Sequence, residues 1–254
     1  MKKSFIALSS LMASALFFPV NSLAYNVVDV TNGGTITGKV TFTGSQEEAN
    51  KHNKMYTITK DTDVCGEGTR EINYVDVKGD ILNDVVVYLK KVKKGKAWNE
   101  SEKNVKIDQK ACEFMPFFAV MANKGKLTAT NSDAVAHNIH TYELIGKARK
   151  SQINISQPDQ GSEVNKTIRL RRGAGMKVEC DQHDFMHSFV FVAKNPYYAV
   201  VAEDGTYQIK NIPAGKYKVA TWHGYLKDPK VQKNIAVKAG KTATVNFEYT
   251  KKKK

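Results

Sequence analysis

Cysteine is scarce in this chain, with three residues in 254. No Cys-x-x-Cys-His is present for covalent haem and no second cysteine pair for a structural zinc site, so both chemistries are excluded. After residue 24 no apolar run is long enough to form a bilayer-spanning helix. No long stretch holds a clean 3.6-residue period, which removes helical bundles from consideration. Acidic residues are outnumbered, 25 against 39 basic ones, for a formal charge of +14. Excess positive charge invites nucleic acid as a partner, but no nucleic-acid-binding motif accompanies it. No nucleophile–base constellation is visible either, so the expectation is a protein that is not an enzyme.

What is present begins with an export-like segment. Lys2 and Lys3 precede an apolar run from Phe5 to Phe18, then Pro19 and the small-residue sequence Ser22-Leu23-Ala24. That order predicts a signal peptide over residues 1–24, cleaved near Ala24, and a periplasmic or secreted product; an uncleaved anchor is the alternative. Beyond it the alternation of Ile36, Val40 and Phe42 with Thr37, Lys39 and Thr41 predicts a half-buried strand, and Val85–Leu89 a more buried one. A third alternation places Ala243, Val245, Phe247 and Tyr249 on one face. Turns are marked at Glu203-Asp204-Gly205, Pro213-Ala214-Gly215 and Ala239-Gly240. The fold class expected is all-β.

The chemistry is concentrated in Cys180-Asp181-Gln182-His183-Asp184-Phe185-Met186, with His137-Asn138 upstream, after Asn131-Ser132-Asp133. Taken singly, a cysteine or methionine is usually core and a strand histidine usually hydrogen-bonded. Together they supply one thiolate, two imidazoles and a thioether. Those are the donors of a blue-copper site, in which a trigonal His2Cys set takes a weak axial Met. Soft sulfur suits Cu(I) and imidazole suits Cu(II), so the mixed set tolerates both oxidation states. The metal set expected is therefore His137, Cys180, His183 and Met186, holding one type 1 copper. His140 is read as a sheet neighbour, His187 as the loop exit and His223 as structural, although His223 could approach the metal if the copper loop faced the rest of the chain.

Phe114-x-Pro116, a strand, Gly125, Lys126–Asn131, the His-Asn pair and the Cys-x-x-His-x-x-Met loop together make residues 105–192 resemble a small cupredoxin. The short ligand loop is most similar to that of amicyanins, with Asp184 where those carry proline. The resemblance implies a Greek-key β-sandwich, a tie between the ligand segments through Asn138, and exposure of His183 as the electron exit. The tail from Ala199 to Tyr249 is similar to the second half of a carboxypeptidase-regulatory-like, or transthyretin-like, β-sandwich, whose opening strands Gly34–Val40 and Asn83–Leu89 resemble. The implied organisation is residues 25–98 and 196–250 as the halves of a discontinuous sandwich, 99–195 as the inserted cupredoxin domain, and 251–254 as a basic tail.

If Cys180 is the copper thiolate, Cys65 and Cys112 are left as a pair that can form a disulfide in an oxidising compartment; two buried free thiols are the alternative. Removal of residues 1–24 takes away two lysines and leaves +12. Basic runs at residues 90–96, 169–172 and 251–254 predict steering toward an acidic redox protein such as a c-type cytochrome, docking near Phe185, or toward an anionic membrane surface. A solvated basic face with no partner is the competing expectation. Electron carriage leads the functional readings, ahead of copper handling as a chaperone or store, and of a surface module with a vestigial metal site.

Overall fold

The structure is a computed structural model that describes residues 25–254; the expected signal peptide lies outside the described residues. The chain is all-β, and among the described residues two short α-helices and one 3-10 turn interrupt the strands. The longer helix, Gln46–Asn50, starts where Ser45 accepts from the Glu48 amide and the Glu48 carboxylate accepts in return from the Ser45 amide. Among the described residues no helix is long and apolar enough to cross a membrane.

Four principal sheets form the body. The first has the order Glu113–Met115, Val105–Lys110, Lys126–Asn131, Glu163–Thr167. It faces a five-stranded sheet ordered Phe118–Ala122, His187–Ala193, Gly175–Glu179, His137–Ile145, Ala148–Gln157, and Ile107, Leu127, Ile139, Val178 and Val190 fill the core they share. The other two sheets make a second, discontinuous sandwich. Val85–Lys90 lies between Tyr198–Val200 and Gly215–His223, with Gln232–Val237 at the edge. Gly34–Thr43 pairs antiparallel with Thr206–Ile212 and parallel with two late strands. An early segment thus depends on partners from the C-terminal third. Neither half contains enough strands to close a core alone.

The strand His187–Ala193 joins the two units. All seven of its residues are buried, and its side chains alternate between cores: Val190 and Val192 enter the first, Phe189, Phe191 and Ala193 the second. Period-two geometry makes this possible only because both faces are apolar. The contact is close. A Cβ on Gly175 would collide with the Trp222 indole, and one on Gly224 with the Phe189 ring.

One expected strand is divided. The alternation over residues 242–249 is realised as Thr242–Thr244 and Phe247–Thr250, both parallel to Gly34–Thr43. Between them the backbone of Val245 crosses Gly38 so closely that a Cβ there would strike the Val245 carbonyl, and the Asn246 side chain accepts from the Lys39 amide. The ladder is interrupted while the inward face, Val245, Phe247 and Tyr249, stays buried.

Candidate metal centre

The antiparallel strands Gly175–Glu179 and His187–Ala193 pair Glu179 with His187, so the intervening residues 180–186 form the loop at one end of the first unit. His137–Ile145 runs alongside, with His140 opposite Glu179. That register brings His137, at the start of its strand, to the loop. Its Nδ1 lies 3.8 Å from Cys180 Sγ, His183 Nδ1 is also 3.8 Å from that sulfur, and the two Nδ1 atoms are 3.1 Å apart. All three residues are buried. Met186, fully enclosed, closes the loop with its amide donating to the His183 carbonyl.

The protonation pattern identifies what the triangle suits. His137 Nε2 lies 2.9 Å from Asp133 Oδ2 and His183 Nε2 lies 2.9 Å from Asp61 Oδ2. An ionised carboxylate only accepts, so each ring carries its proton on Nε2 and turns the lone pair of Nδ1 inward. Two nitrogen lone pairs converging at 3.1 Å repel one another unless a cation lies between them, and the Cys180 thiol can donate its one proton to only one of them. Arms of about 2.0–2.3 Å, ordinary for imidazole nitrogen and thiolate on a first-row ion, span a triangle of this size. Burial pushes the Cys180 thiol upward against the opposing pull of the Asn138, Gln182 and His183 amides. A bound ion must displace that proton. Burial also lowers His183, with Asp61 working in the opposite direction.

Neighbouring side chains hold the ligand segments in place. Asn138 accepts from the Asp181 amide at 2.6 Å and donates to Asp181 Oδ2 and Asn154 Oδ1, joining the His137 strand to the Cys180 loop. His140 faces away from the donors, bonded to Asp181 and Ser151 and stacked on Tyr142. His187 lies 3.2 Å from the Tyr56 hydroxyl, and burial drives its pKa down to about 3. His223 sits in the second sandwich, where its Nδ1 accepts from the amides of Tyr225 and Leu226; it is not part of the donor set.

Asp133 and Asp61, which hold the outer edges of the two imidazoles, are residues that the sequence did not single out. Asp133 precedes His137 by four residues and also accepts from the amides of Ala111 and Cys112. Its proximity to the motif was a usable signal. Asp61 had none, being 122 residues from His183. It arrives on a strap between Lys54–Thr57 and Thr69–Ile72, with φ +51° at Asp61 itself. A disulfide from Cys65 to Cys112 fixes this strap, with the Cα atoms 5.1 Å apart. Arg70 donates to the carbonyls of both cysteines and lies over the Phe185 ring. Ile58 and Cys65 accordingly pack in the core of the first unit, with the metal loop, and not with the sandwich to which residues 25–98 were assigned.

One expectation from the resemblance fails here. His183 is not exposed: it is 1% accessible, and the Asp61 strap covers its outer edge, so it offers a partner no direct exit for an electron. Phe185 is likewise interior, at 2%. Part of each basic run lies away from the ligand loop. Lys147, Arg172, Lys227, Lys252, Lys253 and Lys254 line a cavity of about 640 Å³ with Gly173 and Trp222, and Lys90, Lys91 and Arg171 line its neighbour with Ala193. Those cavities adjoin the ends of Gly175–Glu179 and His187–Ala193 remote from the ligand loop, roughly 16 Å away at the usual rise per residue.

Among known proteins, the family described as polysaccharide lyase family 4, domain II, matches residues 176–245. No curated protein matches. Solved structures resemble part of the chain. A purple cupredoxin from Nitrosopumilus maritimus shares 18% identity, over 35% of this chain and 99% of its own, at a TM-score of 0.30. A copper-containing nitrite reductase from Thermus scotoductus shares 14%, over 39% of this chain and 24% of its own, also at 0.30. Amicyanin from Paracoccus versutus shares 14%, over 35% and 81%, at 0.29.

Proposed function

We propose that this chain is an exported type 1 copper protein that carries electrons, and that His137, Cys180, His183 and Met186 would hold its one copper. The observation that carries the reading is the buried triangle of two inward-facing Nδ1 atoms and one thiol. Copper would supply a one-electron couple between Cu(I) and Cu(II). The chain's own contribution is to fix the donors: Asp133 and Asp61 keep both Nε2 atoms protonated, Asn138 ties the two ligand segments, and the apolar core excludes water. Carboxylate–histidine pairs of this kind orient the ligand and raise its basicity. Burial of all the donors favours an electron carrier over an enzyme, because a substrate has no route to the ion, and over a copper store, which needs ready exchange. The second sandwich is read as carboxypeptidase-regulatory-like, and the redox partner as a protein of the c-type cytochrome kind.

Reversible one-electron voltammetry of the copper-loaded chain tests this reading, and failure to cycle would defeat it. Met186→Leu should keep the intense thiolate-to-copper absorption and raise the potential, since an axial thioether helps the oxidised ion. An unchanged potential would remove Met186 from the ligand set.

The basic end is assigned to an anionic membrane surface. Charge attraction of this kind fades as the Debye length falls from about 10 Å at 0.1 M salt to about 3 Å at 1 M. Retention on vesicles containing anionic lipid should therefore disappear over that range. Retention that ignores salt, or none at low salt, would return these lysines to a solvated face.

A further inference from the structure

The basic run at residues 251–254 is held against the second sandwich by backbone pairing. Lys253 bridges antiparallel to Leu226, the Lys227 amide donates to the Lys252 carbonyl, and the Lys254 amide donates to the Tyr225 carbonyl. Lys253 also lies over the Tyr225 ring, 4.7 Å from its centroid. From the first unit, Lys147 follows Gly146, whose φ of +59° reverses the chain between His137–Ile145 and Ala148–Gln157. Arg172 is pinned nearby, because its amide and that of Gly173 both donate to Glu143 Oε1, at 2.7 and 2.6 Å. The backbone thus fixes where Lys147, Arg172, Lys227, Lys252 and Lys253 emerge, around the cavity of about 640 Å³ that both units line.

None of these five cations has a carboxylate partner among the described residues. Asp228 is the one acid in the wall. Its Oδ2 lies 3.4 Å from Lys254 Nζ, and its Oδ1 accepts from the His223 amide and the Tyr249 hydroxyl. Glu143 lies beneath Arg172 and Gly173, buried, with Oε1 taken by their amides and Oε2 by Gln152. The five like charges therefore repel one another across the cavity, and an anion inside it relieves that repulsion. Charge and shape select the anion. A carboxylate brings one negative charge, whereas a phosphomonoester brings nearly two at neutral pH, with three acceptor oxygens. The Arg172 guanidinium offers paired N–H donors that match phosphate oxygens, and the lysines add point charges. The volume admits a small molecule, and Tyr88, Leu144 and Trp222 supply its apolar wall.

We propose that this cavity binds a phosphomonoester or pyrophosphate group, borne by a soluble molecule or by a lipid headgroup. The site is independent of the copper reading. Borne by a lipid, the phosphate gives the anionic-surface reading a specific headgroup, and in that form the proposal rests on that reading. Lys147 and Arg172 come from one unit and Lys227, Lys252 and Lys253 from the other, so a bound phosphate also ties the two units together.

The test titrates inorganic pyrophosphate calorimetrically into the full chain, kept anaerobic with Cu(I), for which hard phosphate oxygens have little affinity. One pyrophosphate should bind per chain at about 0.15 M salt, where unspecific surface charge is screened beyond about 8 Å. Arg172→Gln with Lys227→Gln should weaken binding at least about tenfold, the scale of losing charged hydrogen bonds. Both residues are exposed, so the fold should survive, which circular dichroism checks; Lys147→Gln with Lys252→Gln repeats the measurement. Lys106→Gln with Lys166→Gln removes the same charge from exposed positions on the other sheet of the first unit and should leave affinity within about twofold. No binding by the wild type, or equal weakening by the cavity and remote pairs, would overturn the site. Phosphatidylcholine vesicles carrying phosphatidic acid, a phosphomonoester, or phosphatidylglycerol, a phosphodiester, at matched surface charge identify the source. Stronger retention on phosphatidic acid, lost in Arg172→Gln with Lys227→Gln, supports the lipid headgroup. Pyrophosphate binding without retention on either vesicle supports a soluble ligand and defeats the surface reading, whereas equal retention on both without pyrophosphate binding defeats the site and leaves the surface reading standing.

Discussion

Cys180→Ser should abolish the intense visible absorption of the copper-loaded protein and weaken copper binding by at least a hundredfold. The colour of such a centre comes from charge transfer out of a thiolate, and Cys180 is the sulfur lying 3.8 Å from both imidazole nitrogens. A serine hydroxyl is a hard, neutral donor with no comparable transition, and it does not suit Cu(I). The fold should survive, because the replacement is close in size and the strands on either side of the loop are held by their own ladders. Spectrophotometric titration with Cu(II), alongside circular dichroism to confirm folding, measures both effects. A folded Cys180→Ser protein with an unchanged spectrum would remove this cysteine from the centre.

Replacing Cys65 and Cys112 together by serine should cost about 4 kcal/mol of stability in the metal-free protein, the chain-entropy value for a 47-residue closure. The effect on the metal centre should be larger than a distant cross-link would give. The disulfide holds the strap that carries Asp61 to His183, and its sulfurs lie within 4.8 Å of a His183 ring nitrogen. Released, the strap uncovers the outer imidazole edge and removes the acceptor that keeps Nε2 protonated. Copper affinity should then fall about 10- to 100-fold, the usual cost of losing an outer-shell partner, and the potential should rise as the imidazole becomes less basic. Denaturant unfolding and competition with a chelator give the two numbers separately. Lower stability with unchanged affinity would reduce the disulfide to a plain staple and leave Asp61 without a role at the metal.

The nearness of Cys180 and His183 was legible because they fall three residues apart, where sequence spacing nearly fixes spatial spacing. His137 was legible for a different reason: its Asn138 neighbour and its distance from Cys180 matched a known sandwich. The strand His187–Ala193 announced its double burial through an uninterrupted apolar run, Phe189 to Ala193. The pairing of residues 34–43 with the C-terminal strands was also readable, since neither half could close a core alone. The Asp61 strap was not. Nothing in a turn-forming segment around Asp61 and Thr62 declares that it will cross from the sandwich half to the metal end, and only tertiary packing of Ile58 and Cys65 places it there. That one placement overturns the exposed His183 implied by resemblance. The positions of the basic runs were hidden for the same reason, since a linear charge pattern fixes how much charge there is and not which end of a sheet receives it.

X-ray absorption at the copper edge of the loaded wild-type protein tests the central claim most directly. The account predicts one short sulfur scatterer and two imidazole nitrogens in the first shell, with any second sulfur longer and weaker, and little change of the short shell between Cu(I) and Cu(II). A first shell of oxygen and nitrogen alone, or one with two or more equally short sulfurs, would contradict it.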